Sequence, residues 1–414
     1  MRRTLAFLFA LCMVLTLCAC NENIPDDGST TLPTTGPFAP AGPLYDRSSY
    51  SASDADALAA HDTTVLHVGS AAINNGFLQF AYWSDYFTFL DLQGYYAAML
   101  GLDHQKPLDA QLVNNTTYTW QHYFLRNTLD ALHESMALML EAESADLELP
   151  EEMITDLNSL EADLDKAAKE NGFETGEEYL RDRHGAGVTV ADFCQYMRMT
   201  YLSAYYYSLQ VDAIAVTDEK IEAYYNQNQT VLNQSGIVKD GTMVRHLRHI
   251  LLPVEDYSDK EGATRDDATE ADWEKCRQAA EALLEEWLGG EKTEDSFAAL
   301  AEKHSKDEGS RYDGGLYQGC TDRSSFDQSF RDWYMAAQRQ TGDYGIIKSA
   351  YGYHLMYFVE AEETWHYQCG NAVYNVALDQ IILDVKDKHP MTVEYSKITL
   401  GVAPLSVYKE NSDE

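Results

Sequence analysis

Basic residues are scarce in this 414-residue sequence. Its 30 Lys and Arg residues face 67 Asp and Glu residues, which gives a formal net charge of -37 at pH 7. A nucleic-acid-binding surface needs clustered positive charge to neutralise phosphates, so this composition excludes nucleic acid as a partner. Hydrophobic residues make up 45% of the chain and charged residues 23%, which is typical of a globular protein with two or three domains.

Motifs for metal, nucleotide and covalent chemistry are also missing. The histidines and cysteines follow no metal-ligand spacing. The run Gly185-Ala186-Gly187 follows no predicted strand and lacks the dinucleotide fingerprint, and no nucleophile elbow is present. We therefore expect no metal and no cofactor. A single Cys320–Cys369 disulfide stays open as an alternative to free thiols, because an oxidising compartment would permit it.

The apolar run at the start of the chain is too short for an ordinary membrane-spanning helix. Residues 5–17 follow a short basic start and lead to Ala19 and Cys20. This arrangement is typical of a secretory signal peptide over residues 1–19, and its end resembles the bacterial lipobox. The resemblance implies lipidation of Cys20, which would anchor the protein to the outer face of a bacterial membrane. A plain signal peptide with an incidental cysteine is the alternative.

Composition and periodicity divide the rest of the chain into four parts. Residues 20–61 are rich in Pro, Ser, Thr, Gly and Asp and are predicted to form a flexible tether. Residues 62–240 are predicted to form a helical N-terminal domain, residues 243–361 a separate α+β domain, and residues 362–414 a helix and strand that pack back on the N-terminal domain. Apolar residues at helical spacing support a long helix, and Thr217 is a predicted N-cap of another. The apolar residues are Leu125, Leu129, Leu132, Met136 and Met139.

The α+β domain is predicted to form a small antiparallel sheet surrounded by helices. Strands are predicted over 244–252, 344–348 and 353–360, helices over 273–287, 297–304 and 326–339, and a loop over 305–319. Side chains alternate along a strand, so His249 shares a face with Leu247 and Leu251. His354 shares a face with Met356 and Phe358. We expect the two histidines to form a hydrogen-bonded pair on one face of the sheet.

Six short pieces of this domain occur in the order and spacing of the parvulin pattern. They are residues 248–252, 297–301, 305–307, 314–316, Phe326 and 351–354. The domain therefore resembles the parvulin-type peptidyl-prolyl isomerases. With the lipobox and the flanking helical segments, the whole chain resembles the PrsA-type extracytoplasmic foldases. In that group a parvulin domain is inserted into a helical chaperone domain.

The resemblance implies roles for individual residues. His249 and His354 match the paired histidines of the family, and Asp307 falls where parvulins place a Cys or Asp beside the prolyl bond. Leu316 and Phe326 match positions that line the proline pocket. Ser349 and Tyr351 fall on the loop where other parvulins often carry hydroxyl residues. The sequence departs from the usual Gly-Gly-Asp-Leu-Gly motif, since residues 313–317 read Asp-Gly-Gly-Leu-Tyr.

The function implied is that of a peptidyl-prolyl isomerase and folding helper for exported proteins that contain Xaa-Pro bonds. The first alternative is a non-catalytic holdase that uses the parvulin domain as a scaffold or peptide clamp. A solute-binding or adhesive lipoprotein is a third reading, which the absence of two α/β lobes disfavours.

Overall fold

The computed structural model describes residues 47–114, 116–260 and 262–403, apart from the side chains of 93–96. The predicted signal peptide and Cys20 lie outside the described residues. Within them the chain is mainly helical with small sheets, as predicted. It divides into two units: residues up to Ile214 together with those from Ala377 onward, and Ala215–Val376.

The first unit is built from helices with short strands at its edges. Its helices are α1 (Asp54–Ala60), α2 (Asn75–Met99), α3 (Trp120–Ser144), α4 (Glu151–Glu170), α5 (Gly176–His184) and α6 (Val190–Asp212). The strands are β1 (Ser51–Ala52), β2 (Thr64–Val68) and β3 (Ala71–Asn74), joined late in the chain by β8 (Met391–Val393) and β9 (Leu400–Gly401). Strand β1 pairs with β9 in parallel, and β2 pairs antiparallel with both β3 and β8.

Helix α3 confirms the predicted amphipathic stripe. Leu125, Leu129, Leu132 and Met136 are buried in the core of this unit, where T-shaped aromatic pairs are common. Thr119 caps the helix by accepting a hydrogen bond from the backbone of His122.

The predicted tether does not extend to residue 61, because β1 and α1 lie within it. Tyr50 is fully buried, and its backbone N–H donates to Gln121 Oε1 at 2.8 Å. Ser53 caps α1 through the backbone of Asp56, and Ala57 is buried against the core. Paired backbone and buried side chains make this stretch part of the first unit, although its composition is polar.

The second unit contains the predicted sheet. Its elements are α7 (Asp218–Gln234), β4 (Met243–Pro253), α8 (Glu270–Gly289), α9 (Glu294–His304), β5 (Leu316–Cys320), α10 (Gln328–Met335), β6 (Tyr344–Lys348), β7 (Gly352–Glu363) and the start of α11 (Thr364–Lys388). The strands form one antiparallel sheet in the order β5-β4-β7-β6. Thr217 caps α7, as predicted, by accepting from the backbone of Lys220.

The two faces of this sheet are covered by different elements. Ile250, Leu252 and Leu355 pack against apolar residues of α8 and α9. On the opposite face, Leu247, Met356 and Phe358 pack against α10. Because alternate residues of β4 and β7 face opposite ways, His249 and His354 lie on the α10 side.

Two boundaries of the second unit differ from the prediction. Helix α7 and residues 364–376 of α11 belong to it and not to the first unit. Ile221 and Tyr225 of α7 form a small buried cluster with Cys369 of α11, and Trp365 packs against it. The predicted C-terminal helix continues directly from β7, because it begins at Thr364.

Among the described residues, Cys194, Cys276, Cys320 and Cys369 are all free thiols, so the Cys320–Cys369 disulfide is not formed. No helix within these residues is long and apolar enough to span a membrane.

Candidate active site

The sheet register brings the two predicted histidines together. His249 on β4 lies opposite Met356, and Leu251 lies opposite His354, so the histidines are diagonal neighbours on one face. Their rings stack with centroids 5.4 Å apart and an interplanar angle of 23°. The two Nδ1 atoms are 3.1 Å apart, and both side chains are buried.

Asp307 reaches this pair from the loop after α9. The loop is held against β4, because the Lys306 N–H donates to the Leu251 carbonyl at 3.0 Å. Ser305, the C-cap residue of α9, accepts the N–H groups of Leu251 and Asp307 at its hydroxyl, each at 3.2 Å. Asp307 Oδ2 then lies 2.9 Å from His249 Nε2.

Three donors converge on this one carboxylate oxygen. Besides His249, the Ser310 hydroxyl donates to Asp307 Oδ2 at 2.5 Å and the Tyr317 hydroxyl at 2.9 Å. The bond from His249, together with those from Ser310 and Tyr317, holds the pKa of Asp307 well below its ordinary value despite burial. Asp307 is therefore a carboxylate anion at neutral pH.

His354 continues the network on the other side. Its Nε2 lies 2.7 Å from the Ser349 hydroxyl, which also accepts the Tyr351 N–H at 3.0 Å. Burial, and then the neighbouring His249, lower the pKa of His354 to about 3, so this ring is neutral at physiological pH. A hydrogen-bonded chain thus runs from Ser349 through both histidines to Asp307.

Aromatic rings form the apolar side of the site. The Phe330 ring meets both histidines edge-on, at centroid distances of 5.1 Å from His249 and 5.4 Å from His354. Phe326 stacks on Phe330 at 4.8 Å and meets the Tyr317 ring at 4.9 Å. The predicted pocket residue Phe326 therefore lies in an aromatic group beside the polar network.

The strand register places Leu316, which the sequence predicts in the proline pocket, on the opposite face of the sheet. Leu316 pairs with Arg248 on β4, whereas Tyr317 pairs with Leu247, which lies on the site face. Alternation along β5 turns Leu316 to the other face, where Arg248 binds Glu294. Sequence reasoning placed this segment in a loop and so had no strand period to apply.

The remaining predicted residues, Ser349 and Tyr351, differ in position. Ser349 is buried and hydrogen-bonded to His354, so it belongs to the network. The Tyr351 side chain is 54% exposed, with the Arg265 guanidinium 4.7 Å from its ring centroid, and only its backbone N–H reaches the network.

Sequence reasoning missed Ser310, Tyr317 and Phe330. Ser310 follows Asp307 by three residues, a spacing at which hydroxyl and carboxylate groups often pair locally. Phe330 follows Phe326 by four residues, but Phe326 precedes α10, so no single helix face signals the pair. Tyr317 was visible as the residue that replaces the final glycine of the family motif.

Gly315 allows the loop before β5 to approach β4. Its φ is +73°, and its carbonyl accepts the His249 N–H at 2.8 Å. A Cβ at this position would lie 2.2 Å from the His249 carbonyl oxygen, so only glycine fits here.

The described part of the chain holds no group of three or more His, Cys, Asp or Glu residues suited to a metal ion.

A buried histidine pair hydrogen-bonded to a carboxylate, beside an aromatic wall on a four-stranded antiparallel sheet, agrees with the predicted parvulin class. Residues 249–360 match the protein family described as "Rotamase: PPIC-type PPIASE domain". The chain therefore carries a parvulin-type peptidyl-prolyl isomerase domain, and its enzyme class is peptidyl-prolyl cis–trans isomerase. Because Xaa-Pro isomerisation is slow enough to limit folding, an enzyme of this class is a folding helper.

Several solved structures are similar to this chain. PrsA from Bacillus subtilis is 18% identical, the match covers 67% of this chain and 91% of that chain, and the TM-score is 0.32. A SurA-like chaperone from Campylobacter jejuni is 17% identical, with 61% and 89% covered and a TM-score of 0.22. The foldase protein PrsA from Streptococcus pneumoniae is 14% identical, with 66% and 87% covered and a TM-score of 0.19. No curated protein sequence matches the chain.

Proposed function

We propose that this protein is an exported peptidyl-prolyl isomerase, held on the outer face of a bacterial membrane by a lipid at Cys20. Its substrates are Xaa-Pro bonds of unfolded or partly folded exported proteins. The observation that carries the catalytic part is the Asp307 carboxylate, which is fixed by His249 beside the aromatic wall of a domain that matches the PPIC-type family.

The chemistry requires rotation about an amide bond and no bond cleavage. Resonance gives this bond a barrier of about 18–20 kcal/mol and places partial negative charge on the carbonyl oxygen. Twisting the bond breaks the resonance and reduces that charge. A carboxylate near the carbonyl therefore destabilises the planar amide more than the twisted one, and the difference lowers the barrier. Asp307 is the group that we assign to this role.

His249 and His354 act as positioning residues in this mechanism. The bond from His249 Nε2 fixes one carboxylate oxygen, and the chain through His354 to Ser349 fixes the His249 ring. Phe326 supplies an apolar surface for the prolyl ring, and the buried Phe330 supports it from behind. A ring held against a rigid wall lets the rest of the peptide rotate while the proline stays in place.

A matched pair of variants tests this role of Asp307. The measurement is the cis-to-trans rate of a short Xaa-Pro peptide with a soluble form of the chain that begins at Asn21. Asp307→Asn removes the charge, whereas Glu308→Gln removes a neighbouring charge on an exposed side chain. We expect at least a tenfold fall in kcat/KM for Asp307→Asn, which corresponds to about 1.4 kcal/mol, and no change for Glu308→Gln.

No acceleration by the folded wild-type chain would overturn the isomerase proposal. If that chain still suppressed aggregation of an unfolded client, the holdase alternative would replace it.

The anchor is tested separately in a bacterial host. The basic start, the short apolar run and the Ala19-Cys20 pair support processing at Cys20. Cys20→Ser should abolish incorporation of a labelled fatty acid and release the protein from the membrane fraction, whereas Cys18→Ser should leave both unchanged. Equal labelling of wild type and Cys20→Ser would overturn the anchor.

A further inference from the structure

Tyr317 lies at the junction between the polar network and the aromatic wall. Its hydroxyl donates to Asp307 Oδ2 at 2.9 Å, and its ring centroid is 5.3 Å from that of His249. The same ring meets Phe326 in a T-shaped contact at 4.9 Å and an angle of 72°. The Tyr317 side chain therefore contacts both the polar network and the aromatic wall of the site.

We propose that Tyr317 has two separable roles in prolyl isomerisation: its hydroxyl positions the Asp307 carboxylate, and its ring forms a wall of the proline pocket. The inference deepens the proposed function and rests on it. It also assigns to Tyr317 the pocket position that the sequence pattern had assigned to Leu316.

The first role follows from the crowding at one oxygen. Two of the three donors to Asp307 Oδ2, His249 and Ser310, are buried, and Tyr317 approaches from β5. Donors from three separate elements restrict a carboxylate more than donors from one loop. Burial, and then the charge of Asp307, raise the pKa of Tyr317 to about 12, so the phenol keeps its proton throughout the working range.

The surrounding backbone also leaves space for this hydroxyl. A Cβ at position 309 would lie 3.3 Å from the Tyr317 hydroxyl oxygen, closer than ordinary packing. Gly309 therefore makes room for the phenol beside Asp307.

The second role, in the proline pocket, follows from the charge distributions of the prolyl ring and of the Tyr317 ring. The prolyl ring carries C–H groups next to an amide nitrogen, which polarises them positively. An aromatic face carries negative charge density and attracts such groups. With Phe326 at its edge, the Tyr317 ring extends the aromatic surface toward Asp307. A pocket of this kind selects a prolyl ring over an open aliphatic side chain.

Two substitutions separate these roles in the soluble chain that begins at Asn21. Tyr317→Phe removes only the hydroxyl. We expect it to lower kcat three- to tenfold, to leave KM within twofold, and to move the acid limb of the pH–rate profile upward, because Asp307 loses one of its three donors. Tyr317→Leu removes the aromatic face and should also raise KM at least fivefold. Tyr312→Phe, at a tyrosine that is 76% exposed, is the matched control and should change neither parameter.

Two further measurements do not depend on turnover. Titration of the Asp307 carboxyl by carbon NMR should show a higher pKa in Tyr317→Phe than in wild type. Titration with an Xaa-Pro peptide should show weaker binding to Tyr317→Leu. An unchanged Asp307 titration and pH profile in Tyr317→Phe would overturn the first role, and unchanged peptide affinity in Tyr317→Leu would overturn the second. Loss of wild-type turnover would count against the proposed function alone, since both titrations would still decide the roles of Tyr317.

Discussion

His249 and His354 share one hydrogen bond between their Nδ1 atoms, and for a neutral His249 ring the rest of the network fixes the direction of this bond. Because the Asp307 carboxylate can only accept, His249 Nε2 carries a proton and donates it. In the neutral ring Nδ1 is then an acceptor, so His354 donates from its own Nδ1. His354 Nε2 is left to accept from Ser349. Every donor in the chain therefore points toward Asp307.

The first prediction concerns acid stability. Folded His354 has a pKa of about 3 against an ordinary value of 6.5, so the unfolded chain binds the proton first as the pH falls. This residue's contribution to the free energy of unfolding is complete above pH 6.5 and is lost progressively toward pH 3. Urea unfolding at several pH values gives the free energy of unfolding as a function of pH. Between pH 6.5 and 4 this free energy should fall less steeply with decreasing pH for His354→Gln than for wild type. Identical slopes would contradict the prediction.

The second prediction concerns the close approach at Gly315. Gly315→Ala places a Cβ in a left-handed conformation and against the His249 carbonyl. Gly241→Ala is the matched control, because Gly241 has a φ of +79° with open space around it. The control should cost about 1–2 kcal/mol in the free energy of unfolding. Gly315→Ala should cost about 3 kcal/mol or more, since backbone must also move. If both variants lost the same free energy of unfolding, the backbone at Gly315 would not lie in close contact with the His249 carbonyl.

The histidine pair was predictable from the sequence because it depends on the alternation of side chains along a strand. The period of two places His249 with Leu247 and His354 with Met356, and two long strands that neighbour each other need only the correct register to bring the rings together. The third partner, Asp307, came from the family resemblance. No local pattern signals that a loop carboxylate will reach a histidine 58 residues earlier in the chain.

The differences between prediction and structure at Leu316 and at the domain boundaries have the same physical origin. Strand β5 is five residues long and contains Gly319, which has a φ of +65°, so its alternation is too short and irregular to detect. Helix α7 resembles the helices before it in sequence. Its place in the second unit depends on the contact between Tyr225 and Trp365, 140 residues apart in the chain, which no periodicity encodes.

The third prediction concerns the thiols. Cys276, Cys320 and Cys369 are buried, whereas Cys194 is half-buried. Burial raises the pKa of Cys320 to about 12, which leaves almost no thiolate at neutral pH. In the chain that begins at Asn21, a thiol reagent should label Cys194 first and the other three only after unfolding. Denatured protein should give four thiols without reductant. A count of two would contradict the free thiols of the structure.

The fourth prediction tests the direction of the hydrogen-bonded chain. Nitrogen NMR of the labelled imidazoles should show His249 protonated at Nε2 and His354 protonated at Nδ1 in wild type. Ser349→Ala removes the only described donor to His354 Nε2 and leaves that buried nitrogen without a partner. The expected cost is about 1–3 kcal/mol in the free energy of unfolding. It should come with a fall in kcat, since the His249 ring and Asp307 lose their support.

Two controls separate this effect from general damage. Ser325→Ala removes an exposed hydroxyl from the same domain and should alter neither stability nor turnover. Ser349→Thr keeps a hydroxyl at the same position and should retain both tautomers. If Ser349→Ala kept the wild-type tautomers and turnover, His354 would be held by its packing against Phe330 alone, and the hydrogen-bonded chain would end at the histidine pair. If Ser349→Ala instead lost both the His354 Nδ1–H signal and turnover, Ser349 would be the residue that orients Asp307 through the two histidines.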